Sequence, residues 1–335
     1  MYVYVFVPQM MSMAQKKINI TALVFSSTIL LLVYYNAILT DLPNAKQLHA
    51  GFHITEKLVT IPLPNVILPA SFDYRKETFH CRKTSLMNMT FPICHYAVET
   101  DDIISRLLLR GKYYEGEEVS RFLQMFRLNR RLQLVDIGAN IGVYSLPAAR
   151  MTNVLAVEPN WRSMIRLAKA VDLGAVISNI TLVHNAISSV RATFNMGVHP
   201  TNQGNAFLIN MTKCKDTPTK KLCKTLSPTR TILLNDLLPL MRSKEALMKV
   251  DVEGHEINVF TDLSAGHFFD QIDVRLIFME WVLCKRHSAD VVQRLLNFFY
   301  SRNYSVFNTD NFRLDKHYLS WPYNVLFKKT SDIRF

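Results

Sequence analysis

V-D-I-G-A-N-I-G-V-Y-S, Val135 to Ser145, sets glycines at positions 138 and 142 directly after a short apolar run. That run, Leu132 to Ile137, is bounded by turn residues and predicts a strand that delivers the glycines at its end. Outward from it the pattern alternates. A helix is expected over Val143 to Met151, a strand over Val154 to Val157, a helix over Trp161 to Leu173 and a strand over Ile180 to Asn185. Upstream, Asp101 to Arg110 and Glu117 to Leu128 carry helical spacing. Strands alternating with helices imply an α/β fold, a parallel sheet wound on both faces.

Ligands of such sheets sit at the carboxyl ends of the strands, around the switch point beside the first strand. The G-x-G-x-x-G spacing of a dinucleotide site is absent, because Ala139 and Asn140 occupy the middle positions. Gly138 permits a tight turn, Gly142 permits close helix packing, and the helix start offers free N–H groups. Asp136 puts a carboxylate at the strand end, where it repels phosphate and attracts a cation. Glu158 ends the next strand, twenty residues beyond Gly138, where an acidic side chain accepts both hydroxyl protons of a ribose. Ribose combined with positive charge describes S-adenosyl-L-methionine. The same residues also have structural roles open to them: Asp136 and Asn140 as helix caps, Gly142 in packing, Asn185 in a strand-end turn.

Four segments, V-D-I-G-A-N-I-G from 135, A-V-E-P-N at 156–160, V-H-N-A-I-S at 183–188 and K-V-D-V-E-G-H-E at 249–256, together resemble the FkbM-type methyltransferase family. The similarity covers roughly Leu132 to Phe327, and D-V-E-G-x-E after an apolar run is its most specific element. The resemblance implies a Rossmann-like seven-stranded methyltransferase sheet with helices on both faces. It also implies cofactor-binding roles for Asp136, Gly138, Asn140, Gly142, Glu158 and Asn185, with Glu158 at the ribose and Asn185 near the adenine. The implied reaction is transfer of a methyl group to a hydroxyl oxygen, which needs help in losing its proton. Lys249, Asp251, Glu253 and His255 stand at alternating positions of an expected strand end, so their side chains are expected on one side, where the acceptor arrives. Asp251 and Glu253 are the favoured proton acceptors; a structural turn with Lys249 neutralising the carboxylates is the alternative. Glu280 and Trp281, in L-I-F-M-E-W, are candidates for the acceptor pocket, and His184 is a further polar candidate. Paired strand-end carboxylates also suit a divalent ion, so metal use stays open.

The N-terminal portion adds a location. Ile18 to Thr40 carries no charge, follows Lys16 and Lys17 and precedes Asp41. It is long enough to span a bilayer, and the lysine pair favours a cytosolic N-terminus. The expected organisation is a cytosolic tail (1–17), a transmembrane signal anchor (18–40), a proline-bearing stem (41–80), an N-terminal helical segment (81–131) and the methyltransferase domain (132–328). Cleavage of the apolar run as a signal peptide is the rival, although no clear A-x-A site follows it. Sequons at Asn88, Asn179, Asn210 and Asn303 and the spacing of five cysteines agree with an oxidising lumen of the Golgi or endoplasmic reticulum. The spacing predicts disulfides Cys81–Cys94 and Cys214–Cys223, with Cys284 as a buried free thiol. No C-x-x-C pair supports zinc.

The net charge of +12, from 39 Lys and Arg against 27 Asp and Glu, is spread along the chain. No charge block of the kind that grips nucleic acid stands out, so nucleic acid is not an expected partner. The expected acceptor is a hydroxyl group, foremost of a glycan. An anchored small-molecule or lipid O-methyltransferase, or a catalytically silent adaptor with the same fold, are the other readings.

Overall fold

The computed structural model describes residues 64–67, 78–98, 103–199, 202–209, 224–261 and 263–330. The chain divides into two units, Met1–Ile61 and Pro62–Phe335, and all described residues fall in the second. The expected anchor at 18–40 and the Cys214–Cys223 pair lie outside the described residues. Among the described residues no helix is long and apolar enough to cross a membrane.

The centre is an eight-stranded mixed sheet built on β4 (Leu132–Ile137), all six residues of which are buried. Continuous burial is what a central parallel strand requires, and it explains why the run reads L-Q-L-V-D-I without alternation. β5 (Val154–Val157) pairs parallel to β4, and β6 (Ile180–Val183) pairs parallel to β5. On the other side of β4 lie β11 (Glu245–Val250) and β12 (Asp273–Glu280), also parallel. β14 (Asn324–Lys329) and β13 (Tyr304–Phe307) complete that edge in antiparallel pairing. These seven strands are those of the expected methyltransferase sheet. An eighth, the two-residue β1 (Val66–Ile67), adds antiparallel to β6 at the far edge. Part of the segment expected as stem is therefore sheet.

Helices cover both faces. One apolar layer gathers side chains such as Phe122, Phe126, Leu134, Leu167 and Phe278 beneath α1 (Ile104–Leu109), α2 (Gly116–Leu128), α3 (Ser145–Ala148) and α4 (Trp161–Leu173). The opposite layer gathers Val135, Ile137, Met248, Val250 and Phe299 beneath α5 (Glu256–Phe260), α6 (Leu263–Gln271) and α7 (Ala289–Tyr300). α4 matches its expected bounds; Asn160 caps it, its Oδ1 accepting the Arg162 N–H at 3.1 Å. α3 is shorter than expected.

The segment 81–131 is not wholly helical. It opens with a hairpin, β2 (His80–Leu86) and β3 (Met89–His95), turned by Met87 and Asn88, both with positive φ, before α1 and α2 follow. Two consecutive left-handed residues give the turn the twist that hairpin strands need. Cys81 and Cys94 are direct cross-strand partners and are disulfide-bonded, while Cys284 is free and buried. A second sheet, absent from the sequence expectations, is formed by β7 (Ala186–Ile187), β10 (Lys224–Ile232), β8 (Thr193–His199) and β9 (Asn202–Ile209) in that order.

Candidate active site

The glycine loop leaves β4 and folds back against the end of β11. Gly138 has φ +84°, and a Cβ there would sit 1.8 Å from the Asp251 carbonyl oxygen, so no other residue fits. Gly142 has φ +93°, and its missing Cβ makes room for Leu167 of α4 and for Leu146. The packing role expected for Gly142 is thus observed. Between the two, Asn140 takes φ +51°. Its backbone N–H donates to Glu158 Oε2 at 2.7 Å, its Nδ2 to the Gly204 carbonyl at 3.1 Å, and its Oδ1 accepts the Ser163 hydroxyl at 3.1 Å.

Glu158 directly follows β5 and is 6% exposed. Its second oxygen, Oε1, accepts the Asn160 N–H at 2.7 Å. Burial raises the pKa to about 7, although the N–H groups of Asn160 and Asn140 act to lower it. The two N–H groups fix the carboxylate in place, and each oxygen keeps a lone pair for a further donor. A cleft with about 560 Å³ of free space, open solvent at its mouth included, runs past Gly138, Glu158, Asn185 and Gly204 to Asp251 and His255.

Asp136 does not line that cleft, contrary to its expected contact with a bound cation. It is fully buried beneath the glycine loop, where its Oδ2 accepts the Ser145 hydroxyl at 2.6 Å and its Oδ1 lies 3.9 Å from Lys249 Nζ. Register is the reason: Asp136 of β4 and Lys249 of β11 are neighbours in the parallel pairing and share one face. Burial raises the Asp136 pKa against the lowering effect of Lys249. The Lys249 ammonium also donates to the Gly138 carbonyl and to Asp251 Oδ2, each at 3.1 Å. Burial acts to lower the Lys249 pKa, but Asp251, Asp136 and Glu115 together raise it, so the ammonium stays charged. Lys249 ties the glycine loop, the first strand and the Asp251 carboxylate together.

β11 ends at Val250, and the expected alternation ends with it. Glu253 and Gly254 both have positive φ, 55° and 93°, and form a turn before α5. Glu256 closes this turn: its Oε1 accepts the N–H groups of Val252 and Gly254 at 3.0 and 3.2 Å. The turn still brings Asp251, Glu253 and His255 to the cleft wall. Burial first, then the charges of Asp251 and Glu280, push the Glu253 carboxyl far above the usual carboxylate range. His255 Nε2 is 2.9 Å from Ser188 Oγ, and its Nδ1 is 2.9 Å from Asn258 Nδ2. Burial lowers its pKa to about 4, so the ring is neutral with both nitrogens engaged.

Sequence reasoning missed the roof of the cleft. Residues of the β8–β9 hairpin bond to the loops below: besides Asn140 to Gly204, Asn160 Nδ2 donates to the Gln203 carbonyl at 3.2 Å, and Asn205 Nδ2 donates to Glu253 Oε2 at 2.7 Å. The only signal was the polar string N-Q-G-N at 202–205. Asn185 lines the cleft, yet both ends of its amide are committed: Oδ1 accepts the Asn65 N–H at 2.7 Å and Nδ2 donates to the Arg230 carbonyl at 3.2 Å. Glu280 ends β12, 5% exposed, with Oε2 lacking a hydrogen-bond partner. Trp281 is fully buried in the core beside Trp321, so it does not form an acceptor pocket. His184 packs on Trp161 and bonds the Pro159 carbonyl at 3.1 Å. Among the described residues no group of three His, Cys, Asp or Glu side chains is placed to hold a metal ion.

Comparison with curated proteins finds no match. Among solved structures the chain is similar to an FkbM methyltransferase of Methylobacillus flagellatus KT, with 14% identity over 58% of this chain and 43% of that one, at a TM-score of 0.35. The chain thus spans less than half the length of that relative. It is similar also to a SAM-dependent O-methyltransferase of Thermotoga maritima (9% identity, 74% and 77% of the two chains, TM-score 0.33). A third similar structure is the 16S rRNA N2 G1207 methyltransferase of T. thermophilus in complex with AdoMet and guanosine (13% identity, 76% and 51%, TM-score 0.34). The model of the methyltransferase FkbM domain matches residues 136–306, more than half of the chain and the stretch that contains the glycine loop, Glu158 and the Asp251 turn. The chain belongs to the FkbM methyltransferase domain family.

Proposed function

We propose that this protein is an S-adenosyl-L-methionine-dependent O-methyltransferase whose acceptor is a hydroxyl group of a glycan in the lumen of the Golgi or endoplasmic reticulum. The observation that carries this reading is the pairing of Glu158, fixed by two backbone N–H groups at one end of the cleft, with Asp251, fixed by Lys249 at the other. The residues fit the cofactor. Glu158 has acceptor capacity left for two ribose hydroxyls, and the Gly138 loop leaves no side chain in the way. Asn185 lines the cleft, and its amide, oriented by Asn65 and Arg230, keeps a second N–H to donate to the adenine. S-adenosyl-L-methionine, when bound, supplies a methyl group on a positively charged sulfur.

The chain's own residues do the rest. Asp251, with its side chain 36% exposed, faces the cleft and takes the acceptor hydroxyl's proton as the oxygen gains the methyl group. Lys249 orients that carboxylate from below and holds it against the glycine loop. Glu253, protonated at neutral pH, accepts the Asn205 amide N–H and does not compete for the proton. His255 is neutral and tied to Ser188, which suits a wall and not a base. The roof hairpin limits water, and positioning supplies much of the rate.

A lumenal location is supported by the uncharged run behind Lys16 and Lys17 and by the sequons. Asn88, at the tip of the β2–β3 hairpin, and Asn303 are exposed, as glycan acceptors must be. Asn179 instead donates its Nδ2 to the Ala149 carbonyl at 2.9 Å and is a poor acceptor. The test is methyl incorporation from labelled S-adenosyl-L-methionine into a panel of glycan, lipid and small hydroxyl acceptors, run with the full-length protein in detergent. Transfer to the lipid or small acceptors alone refutes the glycan assignment, and failure of the protein to bind S-adenosyl-L-methionine refutes the enzyme.

A further inference from the structure

Tyr96 lies outside the matched span 136–306, yet its side chain ends among the residues that hold Glu158. The stapled hairpin brings it there. It directly follows β3, whose buried Cys94 is disulfide-bonded to Cys81. Its backbone N–H donates to Ser105 Oγ of α1 at 3.1 Å, and Arg166 of α4 lies over its ring at 4.1 Å from the centroid. Arg166 Nε in turn donates to the His95 carbonyl at 3.3 Å. Only 1% of Tyr96 is exposed. A buried phenol needs a partner for its hydroxyl, and here the partners flank the glycine loop and the end of β5.

The hydrogen bonds of that hydroxyl run in one direction. Asn160 Nδ2 donates to Tyr96 Oη at 3.3 Å, Tyr96 Oη stands 2.8 Å from Ser163 Oγ, and Ser163 Oγ donates to Asn140 Oδ1 at 3.1 Å. Ser163 has a single hydroxyl proton, which Asn140 takes, so Tyr96 is the donor to Ser163. With its Oδ1 so filled, the Asn140 amide turns its Nδ2 to the Gly204 carbonyl of the roof. Asn140 and Asn160, at the two ends of this relay, supply the backbone N–H groups that bind Glu158, each at 2.7 Å. One buried hydroxyl thus joins both residues that fix the carboxylate, and in a buried network each bond strengthens the next.

We infer that Tyr96 is a positioning residue of the cofactor site, the group that locks Asn140 and Asn160 so that Glu158 meets the ribose hydroxyls in one orientation. The inference rests on the S-adenosyl-L-methionine binding proposed above. A tyrosine that only filled core would need no hydroxyl, and phenylalanine would serve as well. Here an apolar replacement takes the donor from Ser163 Oγ and an acceptor from Asn160 Nδ2, and the amide of Asn140 loses its fixed neighbour. The effect reaches Glu158 through its own titration. The N–H groups of Asn160 and Asn140 lower its pKa against burial, so loosening them raises it. Lys249 of β11 and Asp136 of β4, the charged groups that also act on Glu158, are the same residues in such a variant.

The test is calorimetric titration of the full-length protein in detergent with S-adenosyl-L-homocysteine, between about pH 5.5 and about pH 8.5. Tyr96→Phe keeps the ring under Arg166 and removes only the oxygen. It should weaken binding about threefold to tenfold at the high-pH plateau. It should also move the pH midpoint of affinity upward from about 7 by about half a unit or more. Ser163→Ala cuts the relay at its next link and should do the same, and the double variant should lose little beyond either single one. A purely structural tyrosine would lower the thermal midpoint and leave the affinity and the pH midpoint of the folded protein at the parent's values. That result, or losses that add in full in the double variant, would overturn the inference while leaving the cofactor reading standing. If Tyr96→Phe fails to fold, Ser163→Ala decides: a shifted midpoint supports the relay and a parent-like profile overturns it. A parent that does not bind S-adenosyl-L-homocysteine overturns the cofactor reading and the inference with it.

Discussion

Glu158 should make cofactor binding depend on pH in a way that a surface carboxylate would not. The free protein holds this buried carboxyl with a pKa of about 7, against 4.5 for the ordinary group. Ribose hydroxyls donate hydrogen bonds and therefore favour the ionised form, so binding must expel a proton wherever the free carboxyl carries one. If only the ionised form binds, the apparent Kd exceeds its plateau by a factor of 1 + 10^(pKa − pH). With a pKa near 7 that factor is about 30 at pH 5.5, about 2 at pH 7 and close to 1 at pH 8. Affinity should thus rise as pH rises from 5.5 and level off near pH 8. Calorimetric titration in two buffers of different ionisation enthalpy counts the released proton directly. Glu158→Gln is the control, because it keeps the shape, cannot titrate and leaves the ligand's own ionisation unchanged. Its curve should be flatter than the parent's by that factor, and its affinity at pH 8 lower by roughly 1.5 to 3 kcal/mol, the worth of a charge-assisted hydrogen bond. A parent Kd that does not change between pH 5.5 and 8, or a slope that survives in Glu158→Gln, refutes the placement of the ribose on Glu158. The sign for stability runs the other way. A carboxyl with a raised folded pKa contributes stability that is full below the unfolded pKa and lost as pH rises through about 7, so the ligand-free protein should melt at higher temperature at pH 5.5 than at pH 8.

Gly138→Ala should unfold the site and not merely crowd the cofactor: the new Cβ meets the Asp251 carbonyl and the backbone is left-handed, a loss on the order of 2 to 3 kcal/mol that calorimetric melting of the ligand-free protein would register. A melting point equal to the parent's would contradict the close approach of the two loops. Asp251→Asn should leave S-adenosyl-L-methionine affinity within a few-fold and cut methyl transfer roughly a hundredfold or more; equal turnover in the variant would remove Asp251 as the base. Non-reducing peptide mapping should link Cys81 to Cys94 and leave Cys284 as a thiol, and Cys81→Ala with Cys94→Ala should lower stability by roughly 2 to 4 kcal/mol. A crossed pairing, such as Cys81 with Cys214, would exclude the hairpin staple.

The main elements of the sheet were legible because their signal is local. An unbroken apolar run means a strand buried on both faces, and 3.6-residue periodicity in Trp161 to Leu173 means a helix with one apolar stripe. Gly138 and Glu158 were legible because one turn and one strand end suffice to place them. The Cys81–Cys94 link was legible because both cysteines belong to one short hairpin. The hairpin itself was missed, since its turn, Met87-Asn88, lacks the glycine that usually announces such a turn.

What the sequence could not decide is where side chains go once distant strands come together. Asp136 looked like a cofactor contact and is instead the partner of Lys249, because the β4–β11 register puts these two, 113 positions apart in the chain, on one buried face. The alternation of Lys249, Asp251, Glu253 and His255 broke where Glu253 turned left-handed, yet the turn still delivered three of them to the cleft. Asn185 was oriented by the backbone of Asn65 and Arg230, and Trp281 went to the core. The sequence by itself determined the α/β class, the sheet's central strands and the places of Gly138 and Glu158, which follow from local geometry. Register, turn strain and the β8–β9 roof decided the rest, since pair contacts between residues far apart in the chain depend on the packing of the whole sheet and leave no periodic trace in any one segment.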